Sequence, residues 1–355
     1  VILDFVPNHT SDQHRWFLES RSGRENSKRD WYIWKEPKSD GSPPNNWVSY
    51  FGGSAWEWDE QTEQYYLHLF AKEQPDLNWR NPEVVHAILN VLRFWLELGV
   101  DGFRGDVISL IIKDASFRDD TPNPDWTPSQ PIIGSTLHDR SQHQPESHDV
   151  IRKIRAVLEE YGDRVLIGEI YLPYERLVTY YGKRLDECHL PLNFGLLTCP
   201  FRAESIIALV NEYESLLPKG AWPNWVLGNH DKDRIASENR AGEANARLAQ
   251  MLLLTLRGTP TMYYGDELGM PNGDIPPEKF QDPAALNEPG VGRSRDLART
   301  PMQWDETSYA GFSQVEPWLP VSGDFGSRNV TSQEATPRSF LQMVRHLIAI
   351  RRSSP

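Results

Sequence analysis

The chain has 355 residues, 39% of them hydrophobic and 11% aromatic, which excludes an intrinsically disordered chain and allows one large domain with an insertion. A formal net charge of -13 lacks the positive footprint that a phosphate backbone demands, so nucleic acid is excluded as a partner. No apolar run approaches the ~20 residues of a membrane span. Cys188 and Cys199 have no CxxC or Cys/His spacing and read as thiols, which suits a cytoplasmic location.

In chain order, Val1–Phe5 is apolar and of strand length and reads as a buried strand. Both ends of the chain read as cut beside structural elements. From Asp12 to Asn78 the chain is rich in Trp, Tyr, Gly, Ser and Pro and shows no long helical period. That is too long for a plain connection, so residues 12–78 read as a small inserted subdomain, with 1–11 and 79–355 forming the main domain. Trp47, Trp56, Trp58, Tyr65 and Tyr66 are expected to pack its core. Asn81-Pro82-Glu83 opens a helix, with Val84, Ile88, Leu92 and Trp95 on one face. Val100–Asp106 is a strand, and a polar, Pro-rich loop covers 114–146. His148–Tyr161 is a helix with Ile151, Ile154, Val157 and Leu158 on one side. Strands are expected at 165–169, 189–197, 225–229 and 261–264, with helices at 174–181, 205–217, 242–256 and 340–351. Short apolar strands alternating with helices predict a parallel sheet.

Three acidic residues stand at the ends of such strands: Asp106, Glu169 and Asp231. Carboxylates at successive strand C-termini are what a (β/α) barrel needs to gather distant residues at one face. Two close carboxylates with a third helper suit glycosidic bond cleavage. Arg104 lies two residues before Asp106, so it points to the same side and keeps that carboxylate ionised. Gly105, between them, is expected to mark a close backbone approach or to loosen the strand. Asn8-His9-Thr10 and Asn329-Val330-Thr331 match the glycosylation pattern, the first inside the expected site and the second in an expected loop.

The motifs Asp4-Phe5-Val6-Pro7-Asn8-His9, Gly102-Phe103-Arg104-Gly105-Asp106, Gly168-Glu169-Ile170 and Asn229-His230-Asp231 occur in the order of the signature regions of the α-amylase family (glycoside hydrolase family 13), which the chain resembles. Gln74-Pro75-Asp76-Leu77-Asn78 resembles a further region of that family. Arg295-Asp296 followed by Arg299-Thr300-Pro301-Met302-Gln303-Trp304 is similar to its α-glucosidase and oligo-1,6-glucosidase branch. The resemblance implies an α/β fold, a TIM (β/α)8 barrel truncated to strands 3 to 8, with the inserted subdomain after strand 3. It implies Asp106 as nucleophile, Glu169 as acid/base and Asp231 as transition-state stabiliser, with the Asp106 and Glu169 carboxyls about 5–5.5 Å apart. His9, Arg104, His230 and Arg295 are the implied sugar-binding residues, and Val107 is an implied wall that favours α-1,6 over α-1,4 linkages. No cofactor and no metal are expected, although Asp12, Asp59 and Asp76 were the acids to weigh for calcium. The implied activity is that of a retaining, exo-acting α-glucosidase on short oligosaccharides. A transglucosidase, sucrose isomerase or trehalose synthase would share the site, and a non-catalytic barrel serving as a partner subunit is the third reading. The exposed edges of a truncated barrel would leave the isolated chain inactive or prone to aggregate.

Overall fold

The strands that lead to the carboxylates are short, and each runs parallel to its neighbour. The computed structural model describes residues 1–291 and 294–354, so residues 292, 293 and 355 of the expected main domain lie outside the described residues. Two compact units form, the first mainly residues 1–191 and the second mainly 192–217, 222–282 and 294–354.

The first unit contains β1 (Ile2–Phe5), α1 (Arg15–Arg21), β2 (Trp34–Lys35), β3 (Trp56–Asp59), β4 (Gln64–Leu67), α2 (Pro82–Glu97), β5 (Gly102–Gly105), α3 (Glu146–Glu159), β6 (Val165–Gly168), α4 (Tyr174–Leu177) and β7 (Leu190–Pro191). Its main sheet has the order β1-β5-β6-β7, all parallel. Phe5, Gly105 and Gly168 stand in register, so Asp106 and Glu169 leave the sheet at the same level. β1 is not buried as expected. Among the described residues it pairs on one side, with β5, and Ile2 and Asp4 are exposed while Phe5 is covered.

Asn81 caps α2 by accepting the Glu83 N–H at 2.9 Å, and Pro82 occupies the first turn where no N–H is needed. Val84, Ile88, Leu92 and Leu96 are buried in strict four-residue steps, each worth ~1.5–3 kcal/mol of transfer free energy. Trp95, expected on that face, is exposed because Leu96 continues the stripe. α3 starts two residues before the expected His148 and buries the expected Ile151, Ile154, Val157 and Leu158. The expected 174–181 helix is one α turn followed by a 3-10 turn that Gly182 ends with φ 79°.

Residues 34–67 form a three-stranded antiparallel sheet ordered β2-β4-β3. Trp47, Trp56, Leu67 and Leu69 pack there with Leu110, which follows β5 by five residues. Trp58 and Tyr65 touch each other at 5.1 Å and stay half-buried. The tip of this region turns through Gly52 and Gly53, with φ 91° and 78°.

Gly105 tightens its strand. A Cβ on it would stand 2.7 Å from Ile108 Cγ2, and a Cβ on Gly168 would stand 2.7 Å from Ile108 Cδ1. Ile108 fills the space at Gly105 and shares the space at Gly168 with Cys188 Sγ, also at 2.7 Å, so both strands are closely packed where the expected loosening would have been.

The second unit contains α5 (Gly195–Thr198), α6 (Ala203–Leu216), β8 (Asn224–Val226), α7 (Glu243–Thr255), β9 (Thr259–Thr261), α9 (Val330–Ala335) and α10 (Phe340–Ser353), while α8 (Pro283–Asn287) clusters with the first unit. β8 and β9 pair in parallel, and α10 packs on α7 through Ala246, Leu254, Phe340 and Val344. Two expected strands are corrected. The 189–197 strand shrinks to Leu190–Pro191, because Pro191 has no N–H and Asn193 accepts the Gly195 N–H at 2.8 Å to start α5. The 261–264 strand lies at 259–261, because the Asp266 carboxylate takes the Tyr263 N–H at 3.2 Å and turns the chain away. Asn329 is not in a loop as expected. It is buried and caps α9, and Asn8 is equally buried, so neither glycosylation pattern is accessible. Among the described residues no helix is long and apolar enough to cross a membrane. Both cysteines are free thiols, as expected.

Candidate active site

In the first unit the ladder extends one residue beyond each strand. The Asp106 N–H donates to Phe5 O at 2.8 Å and the Glu169 N–H to Gly105 O at 2.9 Å, which places both acids at the strand mouths. Arg104 lies between them. Its Nη1 donates to Asp106 Oδ1 at 2.6 Å and to Asp4 Oδ1 at 2.7 Å, and its Nη2 stands 2.7 Å from Glu169 Oε2. The expected Arg104–Asp106 contact is present. The contact with Glu169 was not foreseen. Burial works against the guanidinium charge, but Glu169, Asp4 and Asp106 outweigh it and hold its pKa above the ordinary value. Glu169 Oε2 also accepts the Val107 N–H at 3.1 Å.

That last bond depends on an unusual backbone. Val107 has φ 38°, a left-handed conformation that β-branched residues rarely adopt. Its side chain is half-buried against the Trp47–Trp56 core.

His9 follows Asn8, four residues beyond β1. Its Nε2 is 3.0 Å from Gln74 Nε2, its Nδ1 is 3.3 Å from Asn8 Nδ2, and its ring lies 5.2 Å from Phe70. Burial lowers its pKa against the pull of Asp76 and Asp106, so the ring is neutral near pH 7. Below it, Lys113 Nζ meets Asp76 Oδ2 at 2.6 Å and Asn8 Oδ1 at 2.8 Å, and Asn8 Nδ2 donates to Asp76 at 3.0 Å. Of the acids weighed for calcium, Asp76 is thus neutralised by Lys113 and Asp59 by Arg21 at 2.6 Å.

In the second unit Asp231 follows β8 in a turn closed by Asn229 Oδ1, which accepts the Asp231 N–H at 3.0 Å. Asp231 Oδ1 receives Arg295 Nη1 and Arg299 Nη2, each at 3.2 Å, with His230 Nε2 at 3.5 Å. Arg295 is itself held by buried Asp282, through Nε at 2.9 Å and Nη2 at 2.7 Å. Burial opposes the Arg295 charge, and Asp282 and then Asp231 raise its pKa above the usual value. Arg299 also donates from Nε to His230 O at 2.8 Å. Arg299 stands inside a sequence motif that by itself points to no role for it. The available signal was its spacing, since one 3-10 turn over Arg295–Ala298 brings both guanidiniums to one carboxylate. Lys113 was likewise missed, because a lysine in an apolar run signals a buried partner only when that partner is known.

The first unit holds two strand-end carboxylates on a shared cation, and the second unit holds a third carboxylate bound by two arginines. The sequence profile described as "Alpha amylase, catalytic domain" matches residues 1–355. The chain belongs to the α-amylase family. That family's catalytic domain is a TIM barrel, and the relatives place the chain in its α-glucosidase and oligo-1,6-glucosidase branch of glycoside hydrolases. This α-amylase-family chain is 39% identical to a probable α-glucosidase of Rhizobium meliloti, over all of its own length and 67% of the relative's. It is 38% identical to the amino acid transporter heavy chain SLC3A1 of Homo sapiens, over 98% of its length and 51% of the relative's. Among solved structures it resembles the α-glucosyl transfer enzyme XgtA, with a TM-score of 0.95 and 37% identity, covering 100% of this chain and 68% of that one. The chain thus spans between about half and two thirds of the length of the relatives it matches.

Proposed function

We propose that the protein is a retaining, exo-acting α-glucosidase that removes terminal α-linked glucose from short oligosaccharides by double displacement. The observation that carries this reading is the pair Asp106 and Glu169, at the ends of adjacent parallel strands and on one guanidinium. Asp106 attacks the anomeric carbon, Glu169 protonates the leaving oxygen and later deprotonates water, and Asp231 steadies the oxocarbenium-like charge. The carboxyl separation expected for this mechanism is about 5–5.5 Å. His9, Arg104, His230 and Arg295 bind sugar hydroxyls. Val107 narrows the space for the leaving sugar and tilts the preference toward α-1,6 bonds, a bias of ~1–3 kcal/mol. In this reading the parallel strands are barrel strands 3 to 8, residues 12–78 are the subdomain inserted after the third, and the protein works in the cytoplasm without metal or cofactor.

The experiment is hydrolysis of isomaltose and maltose side by side, with Asp106→Asn as control and the anomer of released glucose followed by NMR. Release of α-glucose, abolished in the variant, is the expected result. Release of β-glucose sinks the retaining mechanism. A second reading, α-glucosyl transfer to a sugar acceptor, is favoured by the likeness to XgtA and predicts new disaccharides in place of free glucose. A third, a partner subunit without activity, has the transporter heavy chain in its favour and the presence of Asp106, Glu169 and Asp231 against it.

A further inference from the structure

At the opposite end of β5, β6 and β7 from Asp106 and Glu169 lies a cleft of about 490 Å3, within the ~300–1,000 Å3 of small-molecule sites. Asp101 stands before β5, Arg164 and Val165 where β6 begins, and His189 before β7, while Arg155, Glu159 and Asp163 come from the end of α3 and the turn after it. Asp101 and Asp106 flank β5, so the cleft lies roughly 16 Å along the strand from Asp106.

Two donors in this wall are fixed and unspent. His189 Nδ1 accepts the Leu166 N–H at 3.0 Å, so the ring hydrogen stands on Nε2 and the sheet itself holds the tautomer. Arg164 donates from Nη1 to Asp163 O at 3.1 Å, while its Nε is buried with no hydrogen-bond partner among the described residues. A buried donor in that state costs free energy unless a bound molecule accepts from it. The acceptors stand at the rim. Glu159 Oε1 lies 3.0 Å from Arg155 Nε, and the Asp163 side chain is exposed.

Charge decides which ligand fits. Glu159 and Asp163 balance Arg155 and Arg164, Asp101 adds a further negative charge and His189 is neutral, so an anion finds no net attraction. A cation offers nothing to the two unspent donors. Val165 is the one apolar side chain in the wall, so an apolar molecule gains little by entering. An uncharged molecule whose hydroxyls both accept and donate satisfies floor and rim together. We infer that this cleft is a second binding site, which takes an uncharged polyol of monosaccharide size. It does not depend on which reaction runs at the other end of the strands.

The test is a titration of the full chain with D-glucose, followed through its backbone amides by TROSY NMR. The Gly162, Val165 and Leu166 amides should shift and saturate. Arg164→Gln should weaken that response ~10–100-fold, as loss of a charged hydrogen bond does. Asp163→Ala, a change at an exposed side chain, should weaken it too and serves where Arg164→Gln does not fold. The Asp106 and Glu169 amides report the other end of the strands, and neither variant should alter their response. No shift at the three cleft amides with ~100 mM glucose, about 100 times a 1 mM Kd, overturns the inference. A response that survives both variants also overturns it. So does an equal shift with inorganic phosphate or glycine, which would make the cleft a site for an ion or a zwitterion. A wild type that hydrolyses neither maltose nor isomaltose sinks the proposed function and leaves this result standing.

Discussion

Lys113 and Asp76 form an ion pair 2.6 Å long in which the side chains are 1% and 0% exposed. Burial lowers the Lys113 pKa, and Asp76 opposes that shift. A sealed pair of this kind is costly to break from one side, because the remaining charge has no solvent. Lys113→Met should therefore destabilise the protein by ~3–5 kcal/mol, and adding Asp76→Leu should recover part of the loss. Urea unfolding of both variants checks this, and a double variant no more stable than the single one would count against the pair as the cause.

His189 predicts a pH dependence. Its Nδ1 accepts the Leu166 N–H of β6 at 3.0 Å, which requires that nitrogen to be unprotonated. Burial first, and then Arg155, lower its pKa to about 4. With the folded value below the unfolded one, the contribution is full above about pH 6.5 and is lost as pH falls toward 4. For a half-buried ring, after allowance for solvent screening, this amounts to roughly 1–2 kcal/mol. His189→Asn, whose amide oxygen accepts without titrating, should flatten the stability curve between pH 7 and 4.5. His143, also pushed down to about 4 by burial, should keep part of the slope, as should His9, His14 and His68, which burial also lowers. An unaltered slope in the variant would remove His189 from this account.

Arg299 predicts a functional loss without contact to the chemistry. It holds Asp231 Oδ1 and the His230 carbonyl together. Loss of a charged hydrogen bond of ~1.5–3 kcal/mol should lower kcat/KM about 10–100-fold in Arg299→Gln. The fall should appear in kcat with KM little changed, since Asp231 is assigned to the transition state. A change confined to KM would make Arg299 a ground-state binding residue instead.

Gly105→Ala tests the packing behind the acids. The new methyl would meet Ile108 Cγ2 at 2.7 Å, and overpacking of that order costs ~1–3 kcal/mol. Ile108→Ala removes the opposing atom, so the double variant should lose less than the sum of the two singles. Strict additivity, measured by thermal unfolding, would show that the two residues do not share the space.

Much of this was legible in the sequence because it is local. Helix α2 announces itself through Asn81-Pro82-Glu83 and its apolar spacing, and Asp106, Glu169 and Asp231 follow apolar runs that can only be strands. What was not legible depends on distant partners. The two-residue β7 is cut short by Pro191 and the Asn193 turn, and β9 is displaced by a carboxylate five residues beyond it. Trp95 and Leu96 differ by one position on a helix, and only the packed neighbour decides between them. The same holds for the site. Arg104 beside Asp106 is a period-two argument, whereas Arg104 beside Glu169 requires knowing that β5 and β6 are adjacent and in register.

His9 is gripped on every side that the first unit offers: Asn8 and Gln74 at its nitrogens, and Phe70 beside its ring, with Tyr50 stacked on Phe70 and His138 on Tyr50 at 5.2 and 5.8 Å. Such a ring has surrendered its rotational freedom before any ligand arrives. A sugar hydroxyl that takes the place of Gln74 at Nε2 meets a ring that needs no further ordering on the protein's side. Loosening the column at Phe70→Ala should therefore surface in calorimetry as a less favourable entropy of sugar binding, even with His9 itself untouched.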